Sequence, residues 1–247
     1  MKTTPLTLVK VTIAATLLHA AQAEYVDGVG SVYTPVALAG NTFSEGWEAL
    51  TSTAYPGNGS FPGTGAWTGA LLSQTGGNAG DNGLVKLANG FAGGPYPASG
   101  SIYFGGVLNM PNVDGGELAV QASGTGVLDD VKTVVFQADI GEAWTYDFLN
   151  GDAPVLYVTT TVGSYEVEAD HTSLYAQVDN GEVYMNFQWE DLFINSWAFQ
   201  YDLDGLPGDV TSFSIEFKAV QHAQLYGIGL QQSDVAESES VLPENVD

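Results

Sequence analysis

Three carboxylates crowd one turn late in the chain, in Asp202-Leu203-Asp204-Gly205-Leu206-Pro207-Gly208-Asp209. Calcium is the ion such a turn would hold, because it is a hard cation that takes oxygen ligands from loops. The run lacks the full spacing of a helix-loop-helix calcium loop, and the alternative is a solvated acidic turn. Asn78, Asp81 and Asn82 make a second oxygen-rich loop, and Asn112, Asp114 and Glu117 a third. Both also fit ordinary turns, which Asn and Asp favour. Zinc is not expected: there is no cysteine, and His171 and His222 are the only histidines beyond the first segment.

Glu166, Glu168 and Asp170 alternate, so on a strand they share one face at about 7 Å spacing. A retaining glycosidase needs two carboxyls about 5.5 Å apart, one nucleophile and one acid. Laminarinase-type enzymes carry theirs on one strand as Glu-x-Asp-x-x-Glu. The order here is Glu-x-Glu-x-Asp, and an exposed acidic face is the expectation. No Gly-x-Ser-x-Gly elbow is present, and His222 reads as a structural or surface histidine at a strand turn. The five tryptophans, 12 tyrosines and 11 phenylalanines are many for this size. Most should fill the core. Sugar-binding sandwiches stack pyranose rings on exposed Trp and Tyr. Trp67 and Tyr96, in Gly/Pro loops, are the positions expected to be exposed for carbohydrate binding.

The elements that must carry these residues are extended. Phe213, Ile215, Phe217 and Ala219 alternate with Ser212, Ser214, Glu216 and Lys218, which is period two with one apolar face. After Gln221-His222-Ala223-Gln224, Tyr226, Ile228 and Leu230 resume the alternation. The two runs read as neighbouring strands of one half-buried antiparallel sheet. Further strands are expected around Ser31 to Val36, Leu84 to Ala88, Ser101 to Leu108, Glu117 to Ser123, Val131 to Ile140, Val155 to Val162, Ser164 to Glu168 and Trp197 to Leu203. Asn180-Gly181 between Leu174–Val178 and Val183–Phe187 predicts a hairpin turn, since both central residues of a type I′ turn need positive φ. Ser44 to Thr51 and Trp189 to Ile194 are short helical patches. About ten short strands with Gly-rich turns predict an all-β fold, an antiparallel two-sheet β-sandwich of jelly-roll type over residues 24–233. Residues 234–247 are acidic and polar, and a disordered tail is expected there.

Residues 1–23 read as a secretory signal peptide: Lys2 and Lys10, the apolar run Val11 to Leu18, and the small-x-small site Ala21-Gln22-Ala23. The apolar run is far short of the about 20 residues that a spanning helix needs. A secreted, soluble chain is the expectation, at the cell surface or beyond. Arginine is absent, and only Lys86, Lys132 and Lys218 remain after residue 23 against 29 acids. Nucleic acid and anionic membrane surfaces are excluded as partners, because neutralising phosphates needs Lys and Arg. Such a surface repels its own kind, and a salty or calcium-rich exterior would screen that repulsion.

Several residue strings carry a resemblance. Phe61-Pro62-Gly63-Thr64-Gly65-Ala66-Trp67, Gly93-Gly94-Pro95-Tyr96, Ser101-Ile102-Tyr103-Phe104-Gly105-Gly106, Ala198-Phe199-Gln200-Tyr201-Asp202-Leu203 and Ala219-Val220-Gln221-His222-Ala223-Gln224-Leu225-Tyr226 are similar to PEP-CTERM proteins. Gram-negative bacteria export these, and an exosortase sorts them to the cell surface. The resemblance implies no catalytic residues. It departs at the end, where members close with Pro-Glu-Pro, an apolar helix and a basic cluster. Here Leu242-Pro243-Glu244-Asn245 stands in that place, and sorting by that route is left out of the expectation. The expected function is non-enzymatic, at the cell surface or in the matrix, holding extracellular polysaccharide. A self-associating matrix protein and a jelly-roll glycoside hydrolase or polysaccharide lyase are the alternatives. An enzyme would show two carboxylates converging in a cleft, at least one with a raised pKa.

Overall fold

The computed structural model describes residues 35–76, 82–108, 110–185 and 187–246. The expected signal peptide, the start of the strand expected from Ser31, and Asn78 and Asp81 of the second oxygen-rich loop lie outside the described residues. The expected all-β sandwich is the fold observed. The strands are β1 (Thr42–Trp47), β2 (Thr75–Gly76), β3 (Asn82–Asn89), β4 (Tyr96–Pro97), β5 (Ile102–Tyr103), β6 (Asp114–Ser123), β7 (Thr133–Gly141), β8 (Val155–Thr160), β9 (Ser164–Val167), β10 (His171–Met185), β11 (Gln188–Asp202), β12 (Val210–Val220) and β13 (Gln224–Ser233). The larger sheet runs β10-β11-β7-β13-β1-β2, with β5 also on β13 and β4 on β5. The smaller runs β3-β6-β12-β8-β9, and the pairings are antiparallel. Among the described residues no helix is long and apolar enough to cross a membrane.

Period two places the core. Phe213, Ile215, Phe217 and Ala219 of β12 are buried, together with Leu118 and Val120 of β6 and Leu156 and Val158 of β8. Facing them are Val134, Phe136 and Ala138 of β7, Phe199 and Tyr201 of β11, and Ile228 and Leu230 of β13. Phe136 meets Phe217 at 5.7 Å between ring centroids, and Phe148 stands edge-on to both Phe199 and Phe217. Such pairs add about 0.5–1.5 kcal/mol each beyond burial. Glu45 of β1 is buried at one end of the core. It accepts hydrogen bonds from Asn82 Nδ2 of β3 (2.6 Å) and Ser73 Oγ (3.3 Å), tying the two sheets together.

Four expectations are corrected. β12 and β13 are not neighbours: they lie in opposite sheets, and the chain crosses between them at Gln221 to Ala223, with His222 at φ 71°. Period two marks a buried face and cannot say which sheet owns it. A register shift between Leu225 and Gly227 then turns Leu225, not Tyr226, into the core. Asn180-Gly181 is not the hairpin turn. β10 runs through it with a register shift between Asp179 and Glu182, and the chain reverses between Met185 and Gln188, with Phe187 at φ 68°. Gly181, at φ 92°, serves a bulge as readily as a turn. Neither short patch is helical: Ser44–Trp47 lies in β1 and Trp189–Ile194 in β11, because their backbones are taken up by β13 and β10.

The tail is the fourth. Residues 234–246, expected to be disordered, lie along the outer side of the large sheet. Gln200 Nε2 donates to the carbonyls of Glu237 (2.9 Å) and Glu239 (3.0 Å), and its Oε1 accepts from Val241 N. Thr133 Oγ1 donates to Val235 O, Ser173 Oγ donates to Pro243 O, and Val246 N reaches Leu174 O at the edge of β10. Buried amides and hydroxyls on this face need partners, and the tail backbone supplies them. Gln200→Ala is expected to release residues 237–241 and to cost about 1–3 kcal/mol. Hydrogen-exchange mass spectrometry and a urea melt would check this, and unchanged protection of that segment would contradict the docked tail.

Candidate functional site

The residues singled out for chemistry do not converge. Tyr96 is buried, at 8% exposure, with its ring edge-on to Tyr103 at 5.9 Å. Trp67 is half-buried against the core, and its indole N–H donates to Pro95 O (3.1 Å). The exposure expected of them is corrected for Tyr96, which is buried, and met only in part by Trp67; Lys86 Nζ staples the loop that leads to Trp67 through Gly63 O and Gly65 O. In the acidic turn, Asp202 Oδ1 accepts from Asp204 N, Asp204 faces Lys132 Nζ at 3.7 Å, and Asp209 N donates to Thr161 Oγ1. Among the described residues no three His, Cys, Asp or Glu side chains gather as a metal-holding group. Asp202, Asp204 and Asp209 are thus not brought together as one such group. Glu166, Glu168 and Asp170 form an exposed face on and beyond β9. Glu168 borders a depression of about 410 Å³ with Asp152 and Thr172, which has no aromatic wall.

A different groove, of about 330 Å³, brings together a ring and several hydrogen-bonding groups. It lies where β7 ends and the β10–β11 hairpin begins to leave the sandwich. β7 pairs with β11 only from Ile194 onward, so β11 from Gln188 to Phe193 pairs with β10 alone among the described residues. That stretch and its β10 partner form a two-stranded arm. Val183 and Leu192 of the arm make one wall, Trp144 and Ala143 another, and Glu142, Asn180, His222 and Gln224 supply polar atoms. The Asn180 bulge is what carries that amide over the groove. Asn180 and the ring of Tyr226 close over Gly141, where a β-carbon would come within 3.3 Å and 3.0 Å of them.

Two carboxylates anchor this region. Asn195 Nδ2 lies 2.9 Å from both Glu142 Oε1 and Asp147 Oδ2, so one amide bridges the pair. Glu142 Oε2 also accepts from Phe193 N (3.1 Å), and Asp147 accepts from Phe148 N and from Trp197 Nε1 (2.7 Å). Burial pushes the Glu142 carboxyl above the usual carboxylate range. The bonds from Asn195 and Phe193 oppose that rise, and the Asp147 charge adds to it. Burial likewise raises Glu45, against its bonds from Asn82 and Ser73. His222 is held at both nitrogens: Nε2 donates to Leu108 O, and Nδ1 accepts from the Tyr103 hydroxyl at 2.5 Å. It contributes a fixed ring edge to the groove.

Trp144 sits on a strained turn. Ala143 and Tyr146 exchange backbone hydrogen bonds of 2.8 and 3.0 Å, which makes Trp144-Thr145 a two-residue hairpin loop. Their φ values are 58° and 65°. Both lie in the left-handed region that Gly, Asn and Asp usually occupy, and Thr is β-branched. The Trp144 indole nitrogen is buried without a hydrogen-bond partner. Strain that persists in this way is a pointer to function.

Sequence reasoning missed Glu142, Asn180 and Gln224, and gave Trp144 no special place among the tryptophans. The available signal was Glu142-Ala143-Trp144-Thr145-Tyr146-Asp147 directly after the most apolar strand, an acid-aromatic loop without glycine.

Thr145→Gly is expected to stabilise the fold by about 1 kcal/mol, because glycine adopts positive φ without the steric cost. Chemical denaturation measures it, and a loss of stability would mean the turn is not strained. Glu45 and Glu142 also set a pH dependence. Their folded pKa values lie above the unfolded ones, so folding takes up protons in that interval. Stability is expected to rise as pH falls through the raised folded values, with the gain complete once pH is below the unfolded carboxylate value. The double variant Glu45→Gln/Glu142→Gln should flatten this rise in calorimetric melting temperature, and an unchanged slope would contradict it.

No family model, curated protein or solved structure matches this chain.

Proposed function

We propose that this chain is a secreted, glycan-binding β-sandwich that acts at the cell surface or in the extracellular matrix, and that the groove at the root of the arm takes a neutral sugar. The observation that supports this is the Trp144 ring, half-buried against the core on a strained turn and lining the groove together with Glu142, Asn180 and Gln224. An indole face suits the C–H face of a pyranose, while carboxylate and amide groups suit its hydroxyls. A concave, largely apolar site with a few placed polar groups is the usual form of a small-ligand pocket. The formal charge of −24 disfavours polyanionic polysaccharides. The signal peptide and the PEP-CTERM resemblance support the address.

The bridged Glu142–Asp147 pair favours a second reading, glycoside hydrolysis. Every oxygen of the pair that faces Asn195, Phe193, Phe148 or Trp197 already accepts a hydrogen bond. This supports a holding role over an acid–nucleophile pair.

A neutral-oligosaccharide array, run with and without calcium and followed by titration calorimetry, tests the proposal. Binding is expected, weakened about tenfold or more by Trp144→Ala and restored in part by Trp144→Phe. Absence of binding in both conditions would sink the glycan reading. Release of reducing ends by the wild type but not by Glu142→Gln would establish hydrolysis in its place.

A further inference from the structure

The two faces of the arm differ. Val183 and Leu192 turn toward the groove. The opposite face shows Tyr184 directly across from Trp189, 54% and 65% exposed, with ring centroids 5.3 Å apart at 60°. One pair nearer the sandwich on that face, Glu182 stands directly across from Asp191, both exposed. Like charges in that position oppose strand pairing. Phe187 at the tip is 94% exposed. From residue 179 to 193 the arm carries Asp179, Glu182, Glu190 and Asp191, and no Lys, Arg or His. β10 is also the last strand of its sheet. Among the described residues only β11 pairs with it, apart from the tail contact at Leu174.

We propose that the outer face and free edge of the arm dock an extended polypeptide that carries lysine or arginine at alternate positions. Added as a strand to the β10 edge, such a segment sends every second side chain to the face of Glu182 and Tyr184. A cation there meets two carboxylates and the faces of Tyr184 and Trp189, which attract it through the ring quadrupole. The tail already bonds its backbone to this edge, through Val246 N to Leu174 O. A second copy of the chain does not fit. It has no arginine, its Lys86, Lys132 and Lys218 are engaged by carbonyls or carboxylates, and its charge of −24 opposes self-contact. The proposal does not rest on the glycan reading, since it uses the other face of the arm.

The test is calorimetry of the whole chain with a seven-residue peptide alternating Lys and Val, against a peptide of the same composition with the lysines in one block. The alternating peptide should bind about tenfold more tightly. Trp189→Ala, and separately Glu182→Gln/Asp191→Asn, should each remove that preference. Glu166→Gln/Glu168→Gln, on and just beyond β9, changes the charge equally and should leave it intact. Because Trp189 is exposed, its variant should keep the wild-type melting temperature, and the carboxylate variant gives an independent reading if it does not. Equal binding of both peptides, or equal weakening by both charge variants, would reduce the effect to net charge and overturn the proposal. Concentration-dependent dimerisation abolished by Trp189→Ala would overturn it in favour of contact between copies.

Discussion

Every residue of β7 is buried, on both of its faces. That constraint organises the rest of the molecule. The inward side chains, Val134, Phe136, Ala138 and Ile140, join the core. The outward ones include Thr133, Gln137 and Asp139, and a buried polar group left without a partner costs about 1–3 kcal/mol. Thr133 therefore engages the tail through Val235 O and Glu237 N, Gln137 Nε2 donates to the Tyr175 hydroxyl, and Asp139 Oδ1 accepts from Ser196 Oγ at 2.6 Å. The tail and the β10 side of the sheet are held in place because a central strand with a polar back must be covered.

The same strand delivers the groove. β7 ends at Gly141, and the next residue is the carboxylate that Asn195 shares with Asp147. This network fastens three pieces at one point: the end of β7, the turn that holds Trp144, and the root of the arm at Phe193 to Trp197. The arm can leave the sandwich there because its base is locked by charge-assisted hydrogen bonds, which are shorter and stronger than neutral ones. A rigid root lets one hairpin serve two surfaces, its inner side closing the groove and its outer side open to solvent.

Electrostatics runs in one direction across the molecule. With 29 acids and five basic residues in the whole chain, the ion pairs Lys132–Asp130, Lys132–Asp204 and Lys218–Glu117 leave most carboxylates without a cation, and exposed pairs of this kind contribute little. Cohesion comes instead from the aromatic core and from neutral amide and hydroxyl bridges between segments. The buried carboxylates Glu45, Asp139 and Asp147 accept hydrogen bonds from amide, hydroxyl and indole donors.

The fold class was legible in the residues because period two reports burial directly: Phe213, Ile215 and Phe217 face inward as their spacing requires. Composition likewise gives the excess of 29 acids over five basic residues and the lack of any cysteine thiol. What alternation leaves open is which sheet a strand joins, and so β12 and β13 read as neighbours when they face one another across the core. Positive-φ signals are equally ambiguous, since Asn180-Gly181 can make a bulge or a turn, and only the pairing of β11 along the whole of β10 selects the bulge. The groove depends on that selection and on Asn195, about fifty residues from the carboxylates it bridges. Local pattern determined the layers and the charge of this protein. Long-range strand pairing decided its site, because hydrogen bonds between distant segments are set by the topology that satisfies all of them together.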